Sequence, residues 1–445
     1  MVSIFKTYVF ILKTTGGKME SLKPIKLGIL GMGTVASGLV NITEFNKNKI
    51  HKTINREIII NKVLVNSINK KRNVNLPTDV YTTDAYEVIN DNDTDIIVEL
   101  IGGIAPAYEY VKVALNNKKH VVTANKALIA THGEELEELA IKNDVKLMYE
   151  ASVGGGIPIL NTVRDNLSAN EFESIFGIIN GTTNYILTQM AENNLEYDLA
   201  VKEAQRLGFA EADPSSDVDG DDAVYKLSIL STLAFGQRIN VKDIPKEGIT
   251  KISIEDINYA KENGYNVKLL ACAVKNQNEI ELRVHPAFVP YNHPLSNVKN
   301  EFNAVFLKGN AVGELMLYGK GAGSLPTGSA VLGDIMYIVN NEDKKTDVCE
   351  KGKKFIVSNK VLKQYYIRME TEKSPKVLGR IANIFGNKNI SIESVSHKHK
   401  DNHTTSLIFV THEIERSNLD TALKEVAKYE FVKKIGNIIV FENFK

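Results

Sequence analysis

The order of hydrophobic and polar residues predicts an alternating α/β region over the first third of the chain. Short apolar runs predict buried strands at 25–30, 58–65, 96–101 and 120–124. Helical spacing predicts helices between or after them at 35–42, 107–117 and 133–143. Strands and helices that alternate in this way imply right-handed crossovers and a Rossmann-type parallel sheet.

The pattern changes near residue 150, where a glycine-rich stretch at 154–158 predicts a hinge between two domains. Strands and helices are mixed beyond it, which indicates an α+β substrate domain. Strands are predicted at 174–179, 266–274 and 280–286, and helices at 199–207 and 222–235. A glycine-rich loop at 319–326 then leads into a helix at 328–339.

The last part of the chain predicts a separate small module. Strands are expected at 365–370, 391–397, 404–410 and 436–441, and helices at 376–387 and 419–429. This βαββαβ order is that of a ferredoxin-like fold.

These patterns divide the chain into five segments. They are a lead (1–22), an α/β domain (23–149), an α+β substrate domain (150–339), a linker (340–358) and a ferredoxin-like module (359–445). In the second domain, 320–339 is expected to return toward the nucleotide site. The start of the lead is apolar, but Lys6 interrupts it and it is shorter than the roughly 20 apolar residues of a membrane span. It is interpreted as a disordered lead, or as sequence upstream of a true start at Met19.

Composition narrows the class of protein. The 445 residues contain 54 lysines and arginines and 54 aspartates and glutamates, so no excess of basic charge indicates nucleic acid or an anionic membrane as a partner. Cys272 and Cys349 are far apart and have no metal-binding spacing. Such sparse cysteine use favours a reducing, cytoplasmic location.

A dinucleotide fingerprint lies between the first strand and the first helix. In Gly31-Met-Gly33-Thr34-Val35-Ala36, the first glycine permits a tight turn and the second lets the backbone approach a pyrophosphate. The free N–H groups at the start of the helix would then bind the phosphates.

The end of the second strand bears on the choice of cofactor. An NAD-selective site has an acidic residue there, which binds the ribose 2′-OH. The chain instead has Ser67 followed by Lys70, Lys71 and Arg72. These cations favour NADP, whose 2′-phosphate they could meet. A solvated basic turn has the same sequence, so NAD remains possible.

The densest charge in the chain is at 207–226, which holds six carboxylates and ends at Lys226. Asp222 and Lys226 are four residues apart on a predicted helix, so they share a face, either as a surface ion pair or as a pair in a cleft. A calcium-binding EF-hand is excluded, because its sixth and twelfth positions would be Asp222 and Ser228 instead of glycine and glutamate. A second lysine, Lys126, follows a strand and is expected at the sheet edge where ligands bind.

Together these motifs resemble the homoserine dehydrogenase family from Ile25 to about Val339. The resemblance is carried by the fingerprint, Val122-Thr-Ala-Asn-Lys126, Glu150-Ala-Ser-Val-Gly-Gly-Gly-Ile-Pro158, Asn180-Gly-Thr-Thr-Asn184 and the acidic run. The C-terminal module resembles an ACT domain.

The resemblance implies an NAD(P)-dependent interconversion of L-homoserine and L-aspartate 4-semialdehyde, in the branch leading to threonine, methionine and isoleucine. It implies Lys226 as the proton donor or acceptor, Lys126 as a second lysine near nicotinamide and substrate, and Asp217 as the carboxylate that orients the catalytic lysine. Glu211 and Asp222 would hold homoserine. Cofactor contacts are implied for Gly31, Gly33, Thr34, Val35, Lys126, Gly208 and Gly323.

The resemblance also implies a monovalent cation, usually sodium, on the backbone carbonyls of Glu150, Val153, Gly155 and Ile157. It implies a homodimer or homotetramer. An amino-acid effector such as threonine would bind the loops at 371–375 and 386–389 of the ACT-like module. Ordinary helix capping by Ser374, with Pro375 in the first helical position, explains the first of these loops equally well.

The chemistry agrees with two lysines in the site. Reducing an aldehyde creates an alkoxide that needs a proton or a nearby cation, and oxidising the alcohol needs a lysine whose pKa is depressed. Two alternatives remain: a non-catalytic amino-acid sensor, and another ACT-linked dehydrogenase built on a histidine. His285 is the tempting histidine, but no partner motif accompanies it, so a structural role is expected.

Overall fold

The computed structural model describes residues 22–344, 354–358, 362–399 and 403–444. The predicted lead up to residue 21, and Cys349 in the linker, lie outside the described residues.

The first domain is a six-stranded sheet in the order β3-β2-β1-β4-β5-β6, and all its neighbouring strands are parallel. Its strands are β1 (Ile25–Leu30), β2 (Ile58–Leu64), β3 (Tyr81–Thr82), β4 (Ile96–Glu99), β5 (His120–Thr123) and β6 (Leu147–Met148). Its helices are α1 (Thr34–Phe45), α2 (Lys47–Ile54), α3 (Ala85–Ile89), α4 (Ala107–Asn116) and α5 (Lys126–Lys142). The predicted Rossmann-type sheet is confirmed.

The start of α5 corrects the sequence prediction, which began this helix at Gly133. The helix begins at Lys126 because the Asn125 side chain accepts a hydrogen bond from the N–H of Leu128 at 3.1 Å, which is an N-cap. Lys126 is therefore the first helical residue after β5 and is fixed at the carboxyl edge of the sheet.

The second domain packs helices on an antiparallel sheet. Its strands are β7 (Phe172–Ile178), β8 (Tyr265–Asn276), β9 (Glu279–Pro290), β10 (Phe302–Gly309) and β11 (Gly313–Lys320). Its helices are α6 (Ile159–Asn161), α7 (Gly181–Asn193), α8 (Tyr197–Arg206), α9 (Ser215–Val218), α10 (Asp221–Phe235), α11 (Ile254–Glu262) and α12 (Ser324–Asn340). The glycine-rich segment 319–326 comprises the end of β11, a short turn at 321–323 and the first turn of α12, so the helix begins at Ser324 and not at Gly328 as predicted.

Helix α12 returns to the first domain and packs against α1. Gly38 and Gly328 face each other there, and a Cβ atom on Gly328 would lie 2.6 Å from the backbone of Gly38 and Leu39. The two helices can approach this closely only because both positions lack a side chain.

The C-terminal module has the predicted ferredoxin-like order, with short additions. Its elements are β13 (Leu362–Glu372), α13 (Pro375–Asn387), β14 (Ile392–His399), β15 (Thr404–Thr411), β16 (Ile414–Glu415), α14 (Arg416–Val426) and β17 (Val432–Phe441). The short strand β12 (Ile356–Val357) precedes them in the predicted linker and pairs with β9 of the second domain. The last strand, β17, pairs in parallel with β9 of the second domain. The two sheets are therefore continuous, in the order β11-β10-β7-β8-β9-β17-β13-β15-β14.

Buried charges lie where the two sheets join. Arg368 of β13 donates to Asp256 of α11 at 2.7 Å, and the Tyr366 hydroxyl donates to the same carboxylate at 2.8 Å. Among the described helices, none is both long and apolar enough to cross a membrane.

Candidate active site

The centre of the site is the Asp222 carboxylate in the first turn of α10. Asp222 is buried, and Lys226 one turn later donates to its Oδ2 at 2.7 Å. Lys126 at the start of α5 contacts its Oδ1. One carboxylate therefore lies between two ammonium groups, and it joins the second domain to the carboxyl edge of the Rossmann-type sheet.

These charges shift one another's protonation. Burial alone would raise the pKa of Asp222, but the two lysines outweigh it and hold that pKa well below its usual range. The start of α10 adds partial positive charge in the same place. Asp222 is therefore an anion throughout the physiological pH range.

The two lysines differ in environment. Lys226 is only 8% exposed and donates a second hydrogen bond to the carbonyl of Ile179 at 2.8 Å. Burial and the charge of Lys126 lower its pKa, although Asp222 opposes them. The Lys126 side chain is 40% exposed. Burial opposes its charge too, but Asp222 prevails and raises its pKa. Lys226 is thus the lysine better suited to exchange a proton.

Asn180 is the residue to which the sequence analysis gave no role. Its side-chain Nδ2 donates to Asp217 at 2.7 Å and to Asp222 at 2.8 Å, and its Oδ1 accepts from the N–H of Thr183. This single amide caps α7 and fixes both carboxylates. Its place in Asn180-Gly-Thr-Thr-Asn184, directly after β7, was the signal that could have pointed to it.

The other acidic residues of the predicted site are less tightly held. Asp217 is half-buried on α9 and accepts a hydrogen bond from Asn180, and its charge acts on both lysines. Glu211 is exposed on the loop after α8, and its charge acts on Lys126 from there. Gly208 starts that loop with φ +79, and a Cβ atom there would meet open space.

The predicted nucleotide loop lies at the same sheet edge. Gly31 has φ +97, and a Cβ there would lie 2.9 Å from the Leu100 carbonyl, so the turn requires glycine. A Cβ on Gly33 would meet open space, and no side chain caps the start of α1. Thr34 and Val35 therefore present their N–H groups to any bound phosphate.

Gly323 joins this group from the distant end of β11. It has φ +118, and the Ser324 hydroxyl beside it donates to the Thr34 carbonyl at 2.9 Å. Gly323 is therefore a neighbour of the fingerprint.

Part of the basic turn after β2 is held by hydrogen bonds within the turn. The Arg72 guanidinium donates to the carbonyls of Ser67 at 2.6 Å and Lys70 at 2.8 Å and lies over the Tyr81 ring. Lys70 and Lys71 are exposed. The turn carries three cations after β2, and their binding to a 2′-phosphate stays a prediction.

The loop with the predicted cation ligands is buried and turns sharply. Gly154 and Gly155 have φ +74 and +55, and a Cβ on Gly155 would lie 2.3 Å from the Gly321 carbonyl oxygen. Within the described part of the chain, no hydrogen bond reaches the carbonyl oxygens of Val153 and Gly155. Those of Glu150 and Ile157 accept one each. Buried carbonyls with free lone pairs fit a hard monovalent cation.

The Glu150 side chain has a separate task. Its carboxylate accepts from the N–H groups of Leu160 and Asn161 at 2.9 and 2.6 Å. Its own N–H donates to the buried Asp334 at 2.8 Å. Burial, with the charge of Asp334, raises the pKa of Glu150 to about 7. Burial raises the pKa of Asp334 to about 6.

His285 is buried on β9, at the junction with the C-terminal module. With Cys272 and Glu442 it forms the one group of possible metal ligands among the described residues. Arg283 and Lys363 already pair with Glu442 at 2.6 and 2.8 Å, so the local charge opposes a metal ion. The contacts of His285 support the structural role expected from the sequence.

Family models match most of the chain. The model described as homoserine dehydrogenase, NAD binding domain, matches residues 31–150, the homoserine dehydrogenase model matches 158–336, and the ACT domain model matches 365–431.

Relatives match nearly end to end. The homoserine dehydrogenase of Bacillus subtilis (strain 168) is 39% identical over 421 residues, which cover 93% of this chain and 97% of the relative. The crystal structure of a homoserine dehydrogenase from Thiobacillus denitrificans matches with a TM-score of 0.87 and 38% identity, over 94% of this chain and 98% of that one. A hyperthermophilic archaeal homoserine dehydrogenase in complex with NADPH matches with a TM-score of 0.61 and 28% identity, over 73% of this chain and 100% of that one.

Proposed function

The chain belongs to the homoserine dehydrogenase family, and we propose that Lys226 is the acid–base residue of its reaction. The protein interconverts L-homoserine and L-aspartate 4-semialdehyde with a nicotinamide cofactor, in amino-acid biosynthesis. One observation carries the assignment of Lys226: a buried lysine, with its pKa lowered, shares a carboxylate with a second lysine at the nucleotide edge of the sheet.

The proton moves at the substrate's hydroxyl oxygen. In the direction of homoserine oxidation, neutral Lys226 Nζ accepts the hydroxyl proton, and in the reverse direction the ammonium returns it to the carbonyl oxygen. Burial and Lys126 favour the neutral amine, while Asp222 limits how far the pKa falls. Lys126 keeps its charge and stabilises the negative charge that develops on the same oxygen.

Asp222 and Glu211 bind the substrate's ammonium group. Asp222 is held as an anion, and Glu211 lies exposed on the loop at 207–214, where it can approach a ligand from the solvent side. Asp217 acts through Asn180, which positions Asp222 beneath Lys226. The substrate carries both an ammonium and a carboxylate group, which explains why carboxylate and lysine side chains lie side by side in this site.

The cofactor fits the open edge of the first domain. Its pyrophosphate would lie on the start of α1, held by the backbone of Gly31, Gly33, Thr34 and Val35, with Gly208, Gly323 and Lys126 around the nicotinamide half. When bound, the nicotinamide supplies the acceptor for the hydrogen and electron pair that leave the substrate's carbinol carbon. NADP is the preferred form because Lys70, Lys71 and Arg72 follow β2 and no acidic residue does.

A sodium ion is proposed on the carbonyls of Glu150, Val153, Gly155 and Ile157. The free carbonyls of Val153 and Gly155, both in buried residues, support it. The ion would hold the chain between the two domains in its sharp turn.

The proposed domains are those predicted from the sequence, with bounds at 23–149, 150–339 and 359–445. Assembly is assigned to the second domain and regulation to the third. We expect a homodimer through the second domain or a homotetramer, and a threonine-like effector at the loops 371–375 and 386–389. In the first of these loops Pro375 occupies the first turn of α13, and the Ser374 side chain makes no capping hydrogen bond. Pro375 has no N–H and the N–H of Val377 donates to the Ser374 carbonyl at 3.1 Å, so the N–H of Lys376 is the group in this turn that could meet a ligand's carboxylate.

The test is homoserine-dependent reduction of NADP and NAD, followed by the absorbance of the reduced nicotinamide. Wild-type protein should prefer NADP in kcat/KM. Lys226→Ala should lower kcat by about 10²- to 10⁴-fold because a positioned proton transfer is lost, while the Kd for NADPH stays close to wild type. Lys202→Ala, at an exposed site on α8, is the control and should behave as wild type.

Rescue sharpens this experiment. A small primary amine added to Lys226→Ala should restore part of the lost turnover, with a pH dependence set by the pKa of the added amine. A Lys226→Ala variant with turnover close to that of Lys202→Ala would refute the assignment.

A further inference from the structure

Glu99, the last residue of β4, carries a carboxylate to which the proposed reaction assigns no role. The residue is completely buried. Its Oε1 accepts from the N–H groups of Ile101 at 2.8 Å and Gly102 at 3.1 Å, and its Oε2 accepts from the Thr123 hydroxyl at 2.6 Å. All three donors are uncharged, and among the described residues no cation forms an ion pair with this carboxylate. A buried carboxylate usually has a cation beside it, so Glu99 requires another explanation.

The strand order places Glu99 where a dinucleotide is expected to bind. In the sheet β3-β2-β1-β4-β5-β6 the order reverses between β1 and β4, and ligands of such sheets bind outside the carboxyl ends of the strands at this reversal. Glu99 pairs with Leu30, the last residue of β1, directly before the fingerprint residue Gly31. The carboxylate therefore lies at the base of the expected cofactor crevice.

One oxygen of Glu99 holds the loop after β4. Its two N–H donors belong to residues 101 and 102, and the chain then turns through Gly102 and Gly103 with φ of +83 and +72. A Cβ on Gly31 would lie 2.9 Å from the Leu100 carbonyl oxygen, so this loop packs directly on the nucleotide fingerprint. The position of the loop against the fingerprint therefore depends on the carboxylate.

The other oxygen connects the same loop to the lysine side of the site. The Thr123 hydroxyl that donates to Glu99 also accepts from the N–H of Asn125 at 3.0 Å. The Asn125 side chain caps α5, whose first residue is Lys126, and its Nδ2 donates to the Gly103 carbonyl at 2.6 Å. Two chains of hydrogen bonds therefore start at Glu99 and meet again at Gly103. They join the loop and the start of α5 into one unit.

We propose that Glu99 is a positioning residue for hydride transfer, which holds the loop at 100–104 and Lys126 in fixed places around the nicotinamide. This inference rests on the proposed function, because it takes the cofactor site at the carboxyl edge of the sheet as given. The carboxylate also has an electrostatic effect. The oxidised nicotinamide ring is positively charged and the reduced ring is neutral, so an unpaired anion at the base of the crevice stabilises the bound oxidised form more than the bound reduced form.

The electrostatic effect is tested by nucleotide binding to the full-length protein without homoserine. Glu99→Gln keeps an oxygen for the two N–H donors but removes the charge. In calorimetric titrations, its Kd for NADP should rise at least about threefold more than its Kd for NADPH, because only the oxidised ring loses an attraction. Glu109→Gln is the control, since it removes an exposed carboxylate from α4, just after the same loop. It should leave both Kd values as in the wild type.

The positioning effect is tested by Thr123→Val, which keeps the charge of Glu99 but breaks the connection to Asn125. It should lower kcat for homoserine oxidation about tenfold, because the reacting groups are misplaced. The deuterium isotope effect on kcat, measured with homoserine deuterated at the carbinol carbon, should increase because hydride transfer becomes slower than the other steps. The ratio of the Kd values for NADP and NADPH should stay as in the wild type. Thr123→Ser restores the hydroxyl and should recover most of the lost kcat.

Two results would overturn the proposal. Equal changes in the two Kd values of Glu99→Gln would refute the electrostatic effect. A Thr123→Val variant that has a lower melting temperature, but wild-type kcat per folded molecule and a wild-type isotope effect, would show that the hydrogen bonds are only structural. That second result would decide the positioning role even if Glu99→Gln did not fold.

The binding measurements also separate this inference from the proposed function, because they need no turnover. A wild type whose preference for NADP over NADPH depends on Glu99, but which does not oxidise homoserine, would contradict the proposed function and support the electrostatic effect. A wild type that oxidises homoserine, with neither variant showing its expected change, would contradict the role of Glu99 alone.

Discussion

Two buried clusters in this molecule share one plan, a carboxylate between two cations, but differ in what they can do. In the catalytic centre Asp222 lies between Lys126 and Lys226. At the domain junction Glu442 lies between Arg283 and Lys363. The first cluster joins two domains at the nucleotide edge, and the second joins two sheets.

The difference lies in access and in the cations. The Lys126 side chain is 40% exposed, so a substrate can compete for Asp222, whereas the Glu442 side chain is completely buried. Burial opposes the charge of Glu442, but Arg283 and Lys363 prevail and lower its pKa to about 2. Arginine does not give up its proton in proteins, while Lys226 has a lowered pKa. An ion cluster becomes catalytic when it is open on one side and one of its members can lose a proton.

The sharpest test of this comparison removes the shared carboxylate from each cluster. Glu442→Gln leaves Arg283 and Lys363 buried without their anion, and should lower the free energy of unfolding by about 3 kcal/mol. Turnover per folded molecule should hardly change. Asp222→Asn should instead lower kcat/KM by about 10³-fold, with a smaller loss of stability because Lys126 reaches solvent and Lys226 can deprotonate.

Chemical denaturation and steady-state kinetics on both variants decide this. If Asp222→Asn lost as much stability as Glu442→Gln while keeping its turnover, the two clusters would both be structural. The comparison would then fail.

The next test concerns Asn180, because the cluster around Glu442 has no amide that joins two carboxylates. Asn180→Ser keeps a side chain that can cap α7 but loses the amide that holds Asp217 and Asp222. We expect kcat to fall about 10²-fold from misplaced groups, with a melting temperature close to wild type.

Asn180→Ala is the companion variant, since it also removes the cap. If Asn180→Ser and Asn180→Ala lost stability equally and kept full turnover, capping would be the only role of this residue. A positioning role predicts instead that kcat falls in Asn180→Ser while KM for NADP is unchanged.

The smallest effect is expected on stability at Glu150 and Asp334, two neighbouring buried carboxyl groups with no lysine between them. Glu150 and Asp334 have raised pKa values, about 7 and 6. The folded protein therefore holds these protons more tightly than the unfolded chain. This stabilisation is complete below the unfolded pKa values of 4.5 and 3.8 and is lost as the pH rises through about 6 to 7. We expect the free energy of unfolding to fall by about 1–3 kcal/mol over that range.

Asp334→Asn isolates this contribution, because it keeps an acceptor for the Glu150 N–H but removes one titrating group. The difference in stability between wild type and variant should change with pH, and the variant should gain on the wild type as the pH rises. A difference that stays constant from pH 5 to 8 would show that the two carboxyls do not titrate as described.

Much of this fold could be predicted from the pattern of residues because the central strands are continuous apolar runs. β1, β4 and β5 of the parallel sheet are examples. The edge strand β11 was missed because none of its residues is fully buried, so neither face gives a clear periodic signal. The start of α5 was misplaced because Asn125 makes a capping bond that requires knowledge of the local backbone.

The residues of the site also divide into those that the sequence predicted and those that it did not. Motifs identified Lys126, Asp222 and Lys226, since their spacing is local and their chemistry is distinctive. Asn180 donates to Asp217 and Asp222, which follow it by 37 and 42 positions in the chain. No local pattern predicts contacts over such distances. The pairing of β17 with β9 is still less predictable, because it joins strands that are far apart in the chain.

That pairing also constrains the order in which the protein can be assembled on the ribosome. β17 is synthesised after every other strand of the sheet as described, yet it lies in the middle of that sheet, between β9 and β13. Until it emerges, β9 lacks its partner at Ala287 and Phe288 and β13 lacks the strand along one of its edges, and unpaired edges are sites of association with other chains. A stop codon before residue 432 would therefore do more than delete the end of the regulatory module. It would leave one edge of β13 and the end of β9 at Ala287 and Phe288 without a partner strand, and aggregation of nascent chains is the expected outcome.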